Sequence, residues 1–184
     1  MIFVPTVGDL SRIISTSLYI KEGRVRQLIT YMKTIAGFRK NNMPKSAELE
    51  YSCIEEYVLK NGQPFEDGIM QARPLGKARQ CFSNAQKFIL RNPGCDYVEG
   101  YAFGVIPTLH AWAVIRETGE VVETTWKELG TAYFGVVIPR AYLYKMNLER
   151  GKYGILDGFD VGYPLLTGRD KLEDYKKGGQ NEKE

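Results

Sequence analysis

The chain has 184 residues, 43% of them apolar and 26% charged, which is the size and composition of one globular domain with side chains enough for a core and excludes a disordered chain. One histidine and three cysteines, with no Cys-x-x-Cys or His-x-x-x-His pair, exclude a disulfide framework and a structural zinc site. The 25 basic and 22 acidic residues leave a net charge of +3, far from the basic stripe of a nucleic-acid binder, and no apolar run approaches the ~18 residues of a membrane span. The opening MIFVPTVGDLSR carries no basic region and no cleavage site, so a soluble cytoplasmic protein with reduced thiols and no metal or cofactor is expected.

From Leu10 to Ile35 apolar residues recur at three and four (Ile13, Ile14, Leu18, then Val25, Leu28, Ile29, Met32, Ile35), predicting two helices broken near Gly23. Ala36 to Lys45, with Gly37, Asn41, Asn42 and Pro44, reads as a loop, and Ala47 to Leu59 as a helix stopping at Asn61-Gly62. The cations of this region (Lys21, Arg24, Arg26, Lys33, Arg39, Lys40, Lys45) fit a solvated helix face, with an acidic partner as the alternative. CFSNAQKFILRN (81–92) is helical in pattern and ends at Pro93-Gly94. The period then changes to two through YVEGYAFG (97–104), HAWAVI (110–115), EVVETTW (120–126) and AYFGVVI (132–138), which predicts a run of antiparallel strands, the second and third forming a hairpin through Arg116-Glu117-Thr118-Gly119. YGILDGFDVGYPLL reads as a further short strand or an extended arm, and residues 169–184 as a charged, flexible tail. The expectation is an α+β fold with a single domain over residues 1–168, helical over 1–70, with a cysteine-bearing helix packed on an antiparallel sheet.

Two residues carry a candidate chemistry. Cys81 opens a helix, where peptide dipoles and unsatisfied N–H groups favour thiolate, and Lys77 and Arg79 just upstream act in the same direction. A small buried hydrophobe is the competing reading. His110 is the only imidazole. Strand alternation puts it on one face with Trp112 and Val114, where a helix packed on that face meets it. Cys53, inside an amphipathic helix, and Cys95, in a turn, are weaker nucleophile candidates. Trp112 and Trp126 are expected in the core, with substrate lining as the alternative, and Glu99 as an exposed strand residue, with a site carboxylate as the alternative. The small residues Val98, Gly100 and Ala102 offer a face for close approach of the Cys81 helix.

The ordered set of Cys81 in CFSNA, His110 in HAW and Glu123 in VVETTW resembles the core of papain-like and transglutaminase-like cysteine enzymes. With YVEGYA and YFGV it also looks like small uncharacterised phage-encoded and bacterial proteins. The resemblance spans residues 78–138. It implies thiol-dependent acyl chemistry on an amide, isopeptide or ester of a protein or peptide, on a host component if phage-encoded. It implies Cys81 as nucleophile, His110 as base and Glu123, in place of the family's Asp, as the orienting residue, with Thr125 and Glu128 as competitors. Oxyanion support would come from the Cys81 N–H with Gln80 or Asn84; Asn84 as a strut to neighbouring backbone is the alternative. The rival from another class is a catalytically silent binding or inhibitor protein of the same fold. Ideal pairing across a two-residue Thr118-Gly119 loop sets Val114 opposite Glu123. That leaves Glu123 four residues from the His110 position, on the order of 13 Å at ~3.3 Å per residue, unless a bulge or a longer turn shifts the register.

Overall fold

The structure of the chain is a computed structural model that describes residues 7–42 and 48–176, with side chains described from Gly23 onward in the first helix. The architecture is α+β. Helix α1 (Val7–Asn42) runs unbroken through Gly23 and through the expected loop as far as Asn42, residues 43–45 of that loop lying outside the described residues, because a glycine in a helix interior costs only ~1 kcal/mol relative to Ala and tertiary packing offsets it. Val25, Leu28 and Met32 are buried at helical spacing and belong to the main core, and the Asn42 carboxamide donates to the Phe38 carbonyl at the last turn. Helix α2 (Ile54–Asn61) starts later than its apolar pattern: the Ser52 hydroxyl and N–H both bond Glu56, closing the N-terminus there. Position 47 lies outside the described residues.

Two short strands follow, β1 (Gln63–Pro64) and β2 (Ile69–Gln71), then α3 (Cys81–Arg91), β3 (Cys95–Phe103), β4 (Pro107–Ile115), β5 (Val121–Glu123) and β6 (Ala132–Ile138). They form one sheet in the order β1-β6-β3-β4-β5-β2. The sheet is mixed rather than antiparallel throughout, since β2 pairs parallel to β5. Helix α4 (Arg140–Arg150) lies where the apolar pattern is weak; its signals are Pro139 at the start and Gly151, left-handed at φ 62, just past the end. The stretch expected as a strand or arm is irregular with a short 3-10 turn at Phe159–Val161, and it buries Ile155, Leu156, Leu165 and Leu166. The first half of the expected tail is packed: Leu172 is buried, Tyr175 meets Tyr142 edge-on and Asp170 pairs with Lys145.

The sheet has a core on each face. One holds Tyr97, Tyr101, Ala111, Ala113 and Ile138 with Leu28, Ala85, Ile89 and Leu143 of the helices. The other holds Val98, Ala102, Trp112, Val114 and Tyr133 with Phe65 and Val121. The residues beneath α3 are therefore Ala111 and Ala113 of β4, not Gly100 and Ala102. Gly100 instead lies opposite Gly135 of β6, where a Cβ on Gly100 would come within 2.3 Å of the Gly135 Cα.

Candidate active site

The β4–β5 hairpin decides the site. Ile115 donates its N–H to the Glu120 carbonyl and Gly119, at φ 76, donates to the Ile115 carbonyl, so the turn holds four residues, Arg116 to Gly119, rather than two. The register moves accordingly: Val114 faces Val121 and Ala113 faces Val122. Glu123 thus advances two residues toward His110 from the two-residue-turn register. Its Oε2 lies 2.9 Å from His110 Nε2, with both residues at most 1% exposed. The two-residue shift removes about half of the ~13 Å separation of ideal short-turn pairing, and the side chains span the rest.

Glu123 is itself fully held. Its Oε1 accepts the N–H groups of Thr125 at 2.8 Å and Trp126 at 3.0 Å, and its Oε2 also accepts the Tyr133 hydroxyl at 2.9 Å. Thr125 and Glu128 do not face the imidazole in this role: the Thr125 hydroxyl bonds Asn84 and Glu128 is exposed. Tyr133 reaches Glu123 across the intervening strands; nothing in its own strand pattern announces that contact. Burial pushes the Glu123 carboxyl up, but His110 and the two backbone N–H groups outweigh it and hold it below its usual range.

Helix α3 packs against β4 and β3 on the face opposite His110. Contact is made at the edge of β4, where β5 pairs only with Ala113 and Val114 and leaves the His110 segment uncovered on that side. There Cys81, the first residue of α3, lies near enough to the His110 ring for its sulfur to favour the imidazolium. With Nε2 engaged by Glu123, Nδ1 is the nitrogen left for the thiol. Burial alone disfavours the imidazolium, but the Cys81 sulfur and the Glu123 carboxylate outweigh it and bring the His110 pKa up to about 9. Trp126 stacks on the ring at 4.1 Å between centroids and 19° between planes, half-buried and shielding it, while Trp112 is wholly inside the second core. Lining by Trp112 is thereby excluded; Trp126 is the tryptophan that stacks closely on the His110 ring. Cys81 is half-buried, whereas Cys53 and Cys95 are buried, and burial raises both of those thiols.

The elements that aim Cys81 are fixed at both ends of its helix. Asn84 donates to the Lys77 carbonyl and the Thr125 hydroxyl and accepts the Lys77 N–H. Both its amide hydrogens are used, so it is a strut between the approach loop and the hairpin and has no donor for an oxyanion. Gly76 makes room for it: a Cβ there would lie 2.2 Å from Asn84 Cγ. At the other end the Arg140 guanidinium donates to the carbonyls of Ile89, Asn92 and Cys95, capping the negative pole of α3. Arg79, two residues before Cys81, adopts φ 62, a left-handed conformation that costs a non-glycine residue ~1–3 kcal/mol. Gln80 is exposed at the N-cap position with no side-chain cap bond.

Glu99 is not on the surface. It is fully buried, accepting the Tyr97 hydroxyl at 2.6 Å and the Ile155 and Leu156 N–H groups at 2.7 and 2.9 Å. Burial raises its pKa to about 7 against these bonds. It anchors the segment before Asp157, whose Tyr153 and Gly154 wall a cavity with Gln80 and Phe82, the chain neighbours of Cys81. Gln86 donates to the Tyr153 carbonyl and Arg150 to the Gly154 carbonyl, fixing the same segment.

No protein-family model, curated protein or solved structure matches the chain. Among the described residues no helix is long and apolar enough to cross a membrane, and no cluster of side chains suits a metal ion.

Proposed function

We propose that the chain is a thiol-dependent acyl-transfer enzyme of papain-like or transglutaminase-like type, acting on an amide, isopeptide or ester bond of a protein or peptide. The observation that carries this reading is the His110 ring, whose Nε2 meets Glu123 at 2.9 Å and on which the Cys81 sulfur acts from the start of α3, with the carboxylate locked by three further donors. His110 Nδ1 takes the Cys81 proton and the thiolate attacks the carbonyl carbon. The imidazolium then gives that proton to the leaving amine or alcohol as the bond to carbon breaks, leaving a thioester. Water or an acceptor amine, deprotonated by the same nitrogen, attacks the thioester and releases Cys81. Glu123 keeps the Nε2–H tautomer and stabilises the transient positive charge. As first residue of α3, Cys81 has no intrahelical acceptor for its N–H, which serves as one oxyanion donor; the Gln80 side chain is the candidate for the second.

The test is alkylation by iodoacetamide near neutral pH, read residue by residue. Cys81 should react at least tenfold faster than Cys53 or Cys95, and His110→Ala should remove the difference. Equal and slow alkylation of all three thiols would reject the enzyme reading in favour of a silent binding protein.

A further inference from the structure

The segment that leads into and carries Cys81 is cationic without compensation. Between Asp67 and Asp96 the chain holds Arg73, Lys77, Arg79, Lys87 and Arg91 and no acidic residue. All five are exposed, and among the described residues none forms an ion pair. Elsewhere several cations are paired, Arg39 with Glu55, Arg116 with Asp96, Lys145 with Asp170 and Arg150 with Asp160, and others such as Arg26, Lys33 and Lys127 form no ion pair among the described residues, but none of these three lines a cavity beside α3.

Two cavities flank α3. One, of ≈ 370 Å³, is walled by Gln80, Phe82, Ser83, Lys87, Tyr153 and Gly154, so it adjoins the residues on either side of Cys81. The other, of ≈ 340 Å³, includes Arg73, Lys87, Arg91, Asn84 and Thr124 in its wall. Lys87 borders both, and no carboxylate lines either. Both are of ligand-cleft size, ~300–1,000 Å³. A concave surface with one sign of charge concentrates ligands of the opposite sign and speeds their arrival.

We infer that these clefts receive an acidic peptide segment of the substrate protein, whose carboxylates meet Arg73, Lys87 and Arg91 while a neighbouring carbonyl is presented to Cys81. The inference rests on the acyl-transfer reading of Cys81. That reading also favours a peptide over a nucleic acid, because the reacting group is an acyl carbonyl that a peptide carries in every residue and a sugar-phosphate backbone lacks. The apolar walls Phe82 and Tyr153 suit a hydrophobic residue beside the acidic ones.

The experiment compares anionic and neutral alkylation of the full chain. The ratio of iodoacetate to iodoacetamide rates at Cys81, divided by the same ratio for free cysteine, should be at least ~10 at low ionic strength. It should fall toward one at ~1 M salt, where the Debye length is ~3 Å, and in the Arg73→Gln/Arg91→Gln double variant. Peptidyl chloromethyl ketones should inactivate in the order Glu-Glu-Leu faster than Leu-Leu-Leu faster than Lys-Lys-Leu, with at least tenfold between first and last. A ratio near one at low salt, or no preference among the peptides, overturns the inference while fast iodoacetamide reaction keeps the enzyme reading; slow iodoacetamide reaction at Cys81 overturns both. Protection of Cys81 by a single-stranded oligonucleotide but not by poly-glutamate would assign the surface to nucleic acid and likewise overturn it.

Discussion

Replacing Glu123 with Gln changes one atom of the carboxylate and tests the logic of the site. The Thr125 and Trp126 N–H groups both point at Oε1, so the amide oxygen of Gln takes that side and its NH₂ faces His110 Nε2 and Tyr133. The imidazole must then accept at Nε2 and carry its proton on Nδ1, the nitrogen toward Cys81, and it loses the charge that held it protonated. In the wild type the pKa rises from 6.5 to about 9, which corresponds to ~3 kcal/mol of proton affinity at ~1.4 kcal/mol per decade. Because the folded state binds this proton more tightly than the unfolded chain, the stabilisation is complete below pH 6.5 and is lost as pH rises through about 9. With Gln the Glu123 share of that rise is lost and only the Cys81 sulfur still opposes burial, so the pKa falls and the dependence shrinks.

The single histidine makes the assay direct: its ring protons in a proton NMR titration belong to one residue, and urea unfolding at several pH values gives the linked stability. The wild-type midpoint should lie near 9 and the variant's clearly below it, with acyl transfer lower by about 10⁴-fold, as expected for a wrong tautomer. A wild-type midpoint at or below 6.5, or one that Gln leaves in place, would refute the reasoning.

Two further outcomes follow from packing. In Gly135→Ala the new Cβ would lie 2.7 Å from the Glu99 carbonyl oxygen and 2.7 Å from a Trp112 ring carbon; since the first is backbone, the strands must part, lowering the urea midpoint by ~1–3 kcal/mol equivalent or more, and an unchanged midpoint would contradict the close approach. In Glu99→Gln the amide nitrogen faces the Leu156 N–H, donor against donor, at a cost of ~1–3 kcal/mol, with faster hydrogen exchange at Leu156 as the local sign. The wild-type carboxyl, raised from 4.5 to about 7, makes stability fall as pH rises through that window because the folded state binds the proton more tightly, and this slope should be absent from the variant.

Local pattern was enough for the α+β class, for α3 with Cys81 at its first residue, for four of the strands and for the order of Cys81, His110 and Glu123 along the chain. These follow from apolar period, turn residues and helix ends, which are properties of neighbouring residues. Packing decided what neighbours do not encode. Core contacts kept α1 whole across Gly23, and the turn over residues 116–119, two residues longer than the ideal two-residue pairing, slid Glu123 into hydrogen-bonding distance of His110. Tyr133 came to Glu123 across the sheet, and Glu99, read as an exposed strand position, was buried by the return of Ile155 and Leu156 more than fifty residues later. A register shift changes every cross-strand pair while leaving each strand's own alternation intact. For that physical reason the candidate residues could be picked out along the chain, and only the tertiary structure brought His110 and Glu123 within bonding distance.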